Sequence, residues 1–323
     1  AGVETNKVPL DWLRRCNSMD KLIVTSKHTF DTFVNTKYDI KSETTEEILS
    51  LVGCQKPVDI VGYPVKELDP EDLSSSLRPT SKFNFLSITQ LAPRKNMESL
   101  LQWFVEEFRN EDVGLVLKCH GANNSTADRF RTEGMLGNFL SGLGERKCKI
   151  HLIHGAMTDE EVHGLYQHPD IHAYVTATHG EGFGLPIYEA AYSGMPVIAP
   201  NWSGHKDFLF IEKESKTGRI KREPCYEKVS VTFGPVPEHA LMENIITKDM
   251  QWSYPQEPKL KRAMRSVYEN YKVKKKTAER LQAYLIDKFS EENQFKMMCE
   301  SVWGAIENET TAWASDMEEV QEL

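Results

Sequence analysis

The sequence predicts an α/β fold in which parallel strands alternate with helices. Two observations carry this prediction: short apolar runs exchange regularly with helical periodicity between residues 83 and 200, and a glycine-rich turn near residue 180 joins a strand to a helix. The chain has 323 residues, of which 40% are hydrophobic and 27% charged, an ordinary globular composition. This length is enough for one large domain or two smaller ones.

Five apolar runs of strand length are expected to form the sheet, because helical stretches separate them regularly. The first run is followed by apolar residues spaced i, i+3, i+4, i+7, i+8 and i+11 over residues 97–108, which predicts an amphipathic helix. Asn96 stands at the position expected to cap this helix. The predicted strands are residues 83–89, 113–119, 149–154, 171–178 and 196–199.

Two further helices in this region are predicted from the signals at their ends. Thr158 and Glu161 have the spacing of a capping box at the start of residues 158–167. The helix over residues 186–193 has a proline in its first turn and a glycine just beyond its end.

The two ends of the chain differ from this central region. We expect residues 1–80 to form an N-terminal segment with a linker, residues 81–290 the main α/β domain, and residues 291–323 a C-terminal helix with an acidic tail. Helix formers dominate from residue 259 onward. The predicted terminal elements are strands 21–25 and 58–61, helices 29–35, 259–271, 274–289 and 293–306, and the tail 307–323.

The charge balance argues against nucleic acid as a partner. Lys and Arg total 39 against 48 for Asp and Glu, so the net charge of −9 disfavours a broad phosphate-binding surface. The six cysteines form no C-x-x-C pair, which favours reduced thiols and a cytoplasmic protein. No run approaches the roughly 20 apolar residues of a membrane span, and residues 1–10 lack the basic and apolar regions expected of a signal peptide. One basic run is interpreted as a solvated helix face, with contact to an anionic membrane surface as the alternative: Lys272, Lys274, Lys275 and Lys276.

The glycine-rich turn is the most informative part of the sequence. Its glycines allow the backbone to approach a ligand closely, and the N–H groups at the start of the following helix favour an anion. Glu181 and Glu189 flank the turn, and carboxylates repel a phosphate but accept hydrogen bonds from vicinal hydroxyls. The ligand is therefore expected to carry both phosphates and sugar diols. The alternative is that these residues have a structural role and bind no ligand. Glu189 would then only stabilise the helix N-terminus, and the glycines would only form the turn.

The string EGFGLPIYE places seven residues between Glu181 and Glu189. It resembles the E-x7-E motif of retaining glycosyltransferases with the GT-B fold, in particular glycosyltransferase family 4. The resemblance implies that residues 81–290 are a Rossmann-like, doubly wound donor-binding domain, and that residues 1–80 are the remnant of an acceptor-side domain most of which the chain lacks. It also implies that Glu181 contacts hydroxyls of the transferred sugar and that Glu189 binds the ribose. Backbone N–H groups would face the sugar and the diphosphate from Gly182, Phe183, Gly184 and Leu185.

A second part of the resemblance lies in the turn after the first predicted strand, ITQLAPRKN. Lys95 aligns with a family lysine that holds the donor's phosphates. Gln90 stands where the family usually has an arginine, and Arg94 is expected to compensate. The segment IHGAM, which contains Gly155, resembles the strand end that lies against the nucleobase. His179 adjoins the glycine loop and is expected to contact the ligand.

The implied activity is transfer of a sugar, with retention, from a nucleotide diphosphate-sugar such as a UDP- or GDP-sugar to an unknown sugar, lipid or protein acceptor. Lys95 and Arg94 would offset the charge that grows on the departing diphosphate. The sequence has no D-x-D pair, so we expect no metal, and no cofactor is implied. Two alternatives stay open: a truncated or partner-dependent nucleotide-sugar binding module without turnover, and an epimerase or phosphorylase of the same fold. The oligomeric state also stays open.

Overall fold

The computed structural model describes residues 2–42, 48–214 and 218–304. Its helices within these ranges are α1 (Leu10–Asn17), α2 (Lys27–Asn35), α3 (Met97–Phe108), α4 (Thr126–Gly142), α5 (Asp159–Gln167), α6 (Leu185–Tyr192), α7 (Glu257–Glu269), α8 (Tyr271–Lys288) and α9 (Glu291–Trp303). Its strands are β1 (Leu22–Val24), β2 (Lys37–Lys41), β3 (Ile48–Gly53), β4 (Val58–Ile60), β5 (Phe83–Gln90), β6 (Val113–His120), β7 (Lys149–Ile153), β8 (Ala173–Val175), β9 (Val197–Pro200), β10 (Phe210–Glu214), β11 (Ile220–Pro224), β12 (Glu227–Val229), β13 (Val231–Pro235) and β14 (Gln251–Pro255).

A parallel sheet forms the centre of the described chain, with the strand order β12-β9-β8-β5-β6-β7. The chain runs outward from β5 to β7, crosses back, and then continues outward from β8 to β12 on the other side. This is a doubly wound order, and its direction reverses between β5 and β8. The predicted doubly wound parallel sheet is therefore confirmed. Ligands of such sheets bind where the order reverses, so the loops after β5 and β8 frame the expected crevice.

Apolar side chains cover both faces of this sheet. Phe85 and Leu86 of β5 are both fully buried, and they lie in different clusters because successive side chains of a strand point to opposite faces. Helices α5, α6 and α8 contribute buried residues to one cluster, and α3 and α7 to the other. The helices thus fix the sheet in place and leave its carboxyl edge to the loops.

The helix predictions in the centre of the chain are confirmed, with one correction. The apolar stripe of α3 is buried, and the capping box at the start of α5 is present in both directions. Asn96, however, is not a side-chain cap. It has a φ of 51°, and its side-chain amide donates to the carbonyl oxygen of Ala177 at 3.1 Å, because a 3-10 turn leads into the helix from the crevice side.

Other elements differ from the sequence predictions in length or were not predicted. Strand β8 ends at Val175 rather than at residue 178, because the chain leaves the sheet there to build the turn before the glycine loop. The C-terminal helices begin two to three residues earlier than predicted. Residues 305–306 of the last predicted helix and the acidic tail 307–323 lie outside the described residues. Elements without a prediction are α1, α4, β2, β3 and β10 to β14.

No helix in the described parts of the chain is long and apolar enough to cross a membrane. Two lysines of the basic run make internal contacts: Lys274 pairs with Glu227 at 2.6 Å, and Lys275 donates to the carbonyl oxygen of Gly194 at 2.8 Å. Lys272 is exposed.

Candidate functional site

The loops after β5 and β8 meet at the point where the strand order reverses. Lys95 Nζ lies 2.7 Å from Glu181 Oε1, and Arg94 Nη1 lies 2.9 Å from Glu181 Oε2. Arg94 Nη1 also donates to the carbonyl oxygen of Gly180 at 2.5 Å. The structure therefore brings together the predicted cationic turn and the first predicted carboxylate, which are 86 residues apart in the chain.

The charges of this cluster hold one another in the ionised state. Burial raises the pKa of Glu181, but the charges of Lys95 and Arg94 outweigh it and lower the pKa to about 2. Burial lowers the pKa of Lys95, and the carboxylate of Glu181 opposes that effect. Glu181 is thus an acceptor of hydrogen bonds at neutral pH and not a proton donor.

The glycine loop is packed against the first residues of the described chain. A Cβ on Gly182 would lie 2.7 Å from the Cα of Gly2, and one on Gly180 would overlap the carbonyl oxygen of Glu4. Gly184 has a φ of 96° and precedes α6. Two of the three glycines are therefore required by contact with the N-terminal segment, and the third by its backbone conformation.

Two residues that sequence reasoning did not select contact this loop. Glu4 Oε1 lies 3.6 Å from Arg94 Nη2, so the guanidinium group is between two carboxylates. The hydroxyl of Ser26, fully buried at the start of α2, donates to the carbonyl oxygen of Gly182 at 2.6 Å. No local sequence pattern marks either contact, because the second joins residues 156 positions apart.

Glu189 lies on α6 and does not contact the cationic turn. Its Oε2 accepts a hydrogen bond from Tyr166 Oη at 3.0 Å. Burial raises the pKa of Glu189, and Tyr166 and Lys66 partly oppose this. The pKa of Tyr174 is raised mainly by burial, next by the charge of Glu181, and more weakly by the charge of Glu189. Both acids are therefore close enough to Tyr174 to act on it electrostatically.

The other predicted ligand contacts are distributed around the crevice. Gly155 has a φ of 124°, and its carbonyl oxygen accepts from Lys118 Nζ at 2.6 Å. The ring of Phe183 packs on Phe208, while Leu185 is exposed at the start of α6. His179 is held by Ser253, whose carbonyl oxygen is 2.7 Å from His179 Nδ1.

The β13–β14 hairpin thus fixes the imidazole of His179, which also stacks on Trp252. Its contact with a ligand stays a prediction, as do the ligand contacts of the loop residues. Among the described residues, no group of three or more His, Cys, Asp or Glu side chains is arranged to hold a metal ion.

The fold is similar to that of several solved structures at low sequence identity. Sucrose-phosphate synthase from Thermosynechococcus elongatus has a TM-score of 0.60 at 16% identity, over 93% of this chain and 61% of that one. TarM from S. aureus, in a complex that contains UDP, has a TM-score of 0.55 at 14% identity. This likeness covers 90% of the present chain and 45% of TarM. Anabaena HepE, in complex with UDP and glucose, has a TM-score of 0.54 at 13% identity, over 91% and 67%.

These likenesses show that the fold is the GT-B fold. Residues 69–224 match the family model of glycosyl transferases group 1, a segment that includes the cationic turn and both glutamates. This match covers just under half of the chain. The chain spans less than two thirds of the sucrose-phosphate synthase and of TarM. No curated protein sequence matches the chain significantly.

Proposed function

We propose that the protein is a retaining glycosyltransferase of family 4 that transfers a sugar from a nucleoside diphosphate-sugar to an acceptor, without a metal ion. The observation that carries this proposal is the contact of Lys95 and Arg94 with Glu181 at the reversal point of the sheet. TarM was solved with UDP, and HepE was solved with UDP and glucose and also with UDP-glucose. Both likenesses support a nucleoside diphosphate as the leaving group here.

The residues of the crevice supply complementary parts of this chemistry. Lys95 and Arg94 would stabilise the negative charge that develops on the departing diphosphate, as preorganised cations do in transition states. Glu181, kept ionised by the same cations, would accept hydrogen bonds from hydroxyls of the transferred sugar. Glu189 would do the same for the ribose, in place of the hydrogen bond from Tyr166. Each acid thus accepts hydroxyl donors, and neither is required as a nucleophile.

Calorimetry with UDP, GDP and ADP tests the donor assignment. We expect one of them to bind, and Lys95→Ala to weaken its affinity by about tenfold to a hundredfold, the value of a charge-assisted hydrogen bond. The corresponding nucleoside without phosphates should bind equally to both proteins. Lys147→Ala is the matched control, because Lys147 is exposed and lies outside the crevice. Absence of nucleotide binding, or an unchanged affinity in Lys95→Ala, would refute the proposal.

A second assay separates turnover from binding. The protein is incubated with sugar conjugates of the nucleotide that binds, and release of the free nucleoside diphosphate is measured. Release of the free diphosphate with retention at the anomeric carbon supports the transferase. Binding without release over a range of sugar acceptors supports the second candidate, a nucleotide-sugar binding module. This second candidate is supported by chain length, because the chain spans only 61% of the sucrose-phosphate synthase and 45% of TarM.

A further inference from the structure

Lys118 lies near the carboxyl end of β6, the strand beside β5, which leads into the cationic turn. It is 7% exposed and is the most buried lysine or arginine in the described parts of the chain. Buried charges in proteins are usually paired with an opposite charge. Lys118 differs: among the described residues, its Nζ donates to the carbonyl oxygen of Gly155 at 2.6 Å, and no carboxylate lies within ion-pair distance.

The ammonium group of Lys118 has donors left for a further partner. It carries three N–H groups, and the bond to Gly155 uses one of them. Burial lowers the pKa of Lys118, and Cys119 and Glu161 oppose this effect without cancelling it. A hydrogen-bond acceptor on a bound molecule would therefore stabilise the charged form. A buried ionisable group of this kind beside a crevice is typical of a functional site.

A cavity of about 370 Å³ opens at this end of the sheet, and Ile153, His154 and Met157 contribute to its lining. Ile153 is the sheet partner of Lys118 on β7, so the two side chains leave the sheet on the same face. Gly155 follows in the chain and is the residue expected to lie near the nucleobase. Because β6 lies between β5 and β7, Lys118 lies between the cationic turn and this cavity.

The charges around the cavity favour a neutral acceptor over a second phosphate group. Two carboxylates line the cavity, Glu133 and Glu161, and its one arginine, Arg129, already pairs with Glu133 at 2.7 Å. A third carboxylate, Asp128, lies 3.0 Å from His154. These carboxylates would repel a phosphate, whereas a neutral carbonyl oxygen accepts hydrogen bonds from an ammonium group without that repulsion.

We propose that Lys118 contacts the nucleobase of the donor and selects a base with a carbonyl oxygen over one with an amino group at the same ring position. An ammonium group only donates hydrogen bonds, so it binds the carbonyl oxygen of uracil or guanine and not the amino group of cytosine or adenine. A base with the amino group would leave the buried ammonium without its partner, which is costly. This inference rests on the proposed function, because it requires a nucleoside diphosphate in the crevice.

Two pairs of nucleotides test the proposal by calorimetry: UDP with CDP, and IDP with ADP. The members of each pair share a ring system and differ at the carbonyl or amino group and at the ring nitrogen beside it. In the pair that binds, the carbonyl member should bind the unmodified protein more tightly by about tenfold to a hundredfold, the value of a hydrogen bond to a charged group.

Lys118→Met removes the donors and keeps the length of the side chain, so it should abolish this preference. Pyrophosphate, which has no base, should bind equally to the variant and to the unmodified protein, whereas general damage to the crevice would weaken it. Lys118→Gln is the second variant, because its amide still donates to Gly155 but also accepts from an amino group, and it should lose the preference too. Lys149→Met is the matched control, since Lys149 is exposed at the other end of the sheet, at the start of β7, and the preference should persist.

The outcomes separate this inference from the proposed function. Equal affinity of the unmodified protein for both members of each pair that binds would overturn the inference alone. A preference that persists in Lys118→Met or Lys118→Gln would overturn it as well. Absence of binding for every nucleoside diphosphate would overturn the inference together with the proposed function.

Discussion

Glu181→Gln is the most direct perturbation of the site, because it removes one charge and keeps the shape of the side chain. Glu181 is 7% exposed, and its carboxylate contacts both cations of the turn. A pKa lowered from 4.5 to about 2 corresponds to about 3 kcal/mol of stabilisation. Loss of the charge leaves the partly buried Lys95 and Arg94 without a full partner, which is costly for the same reason.

The pH dependence follows from the direction of the shift. A carboxyl group whose pKa is lowered on folding stabilises the protein above its unfolded pKa, and the contribution is lost as the pH falls through the folded pKa. Urea unfolding at pH 7 should therefore show a free energy of unfolding lower by about 3 kcal/mol in Glu181→Gln. The difference should shrink as the pH falls from about 4.5 towards 2.

The control for this experiment is Glu133→Gln. Glu133 pairs with Arg129 at 2.7 Å, one turn apart on α4, and both side chains are exposed. Its loss should lower the free energy of unfolding by less than about 1 kcal/mol. The variant Glu181→Gln should also bind pyrophosphate more tightly than the unmodified protein, because Lys95 and Arg94 lose the one carboxylate that pairs with both of them. Equal unfolding free energies at pH 7 for the unmodified protein and Glu181→Gln would refute the reasoning.

Two further substitutions separate ligand binding from stability. Glu189→Gln should weaken binding of the nucleoside diphosphate by about 1.5 to 3 kcal/mol in calorimetry, because the ribose loses a charged acceptor. Burial raises the pKa of Glu189, which makes its ionised form destabilising above its unfolded pKa, so the same variant should unfold at an equal or higher urea concentration at pH 7. Gly204→Ala should lower both the urea midpoint and nucleotide affinity, because a Cβ there would overlap the carbonyl oxygen of Gly182 and displace the loop. A Gly204→Ala protein with unchanged urea midpoint and affinity would show that the loop position is not critical.

The parts of the fold that were predictable are those with a strong local pattern. The stripe of α3 and the capping box of α5 each lie within one helix, and the structure confirms both. Helix α4 has no such stripe, since Phe130 and Met135 are exposed on it. Strand β12 has three residues, Glu227–Val229, which is too short for a period-two pattern to appear.

The residues of the site likewise divide into those that could be predicted from the sequence and those that could not. The contact of Lys95 with Glu181 was predictable from topology, because loops at the carboxyl edge of neighbouring parallel strands are close in space. The fixed position of His179 was not, because it depends on the β13–β14 hairpin, which has no clear signal in the sequence. Glu4 and Ser26 could not be selected either, since they contact the loop across long stretches of chain.

The charge balance of the turn has a consequence for donor binding. Arg94 and Lys95 face two carboxylates, Glu181 and Glu4, so an arriving diphosphate must replace part of this pairing. The two pairs of Arg94 differ in strength: Glu4 lies 3.6 Å from it with 34% of its side chain exposed, against 2.9 Å and 9% for Glu181. The longer and more exposed pair is the weaker one and gives way first. Donor binding should therefore release Glu4 and keep Glu181 in place beside the sugar, which ties the N-terminal segment to the occupancy of the crevice.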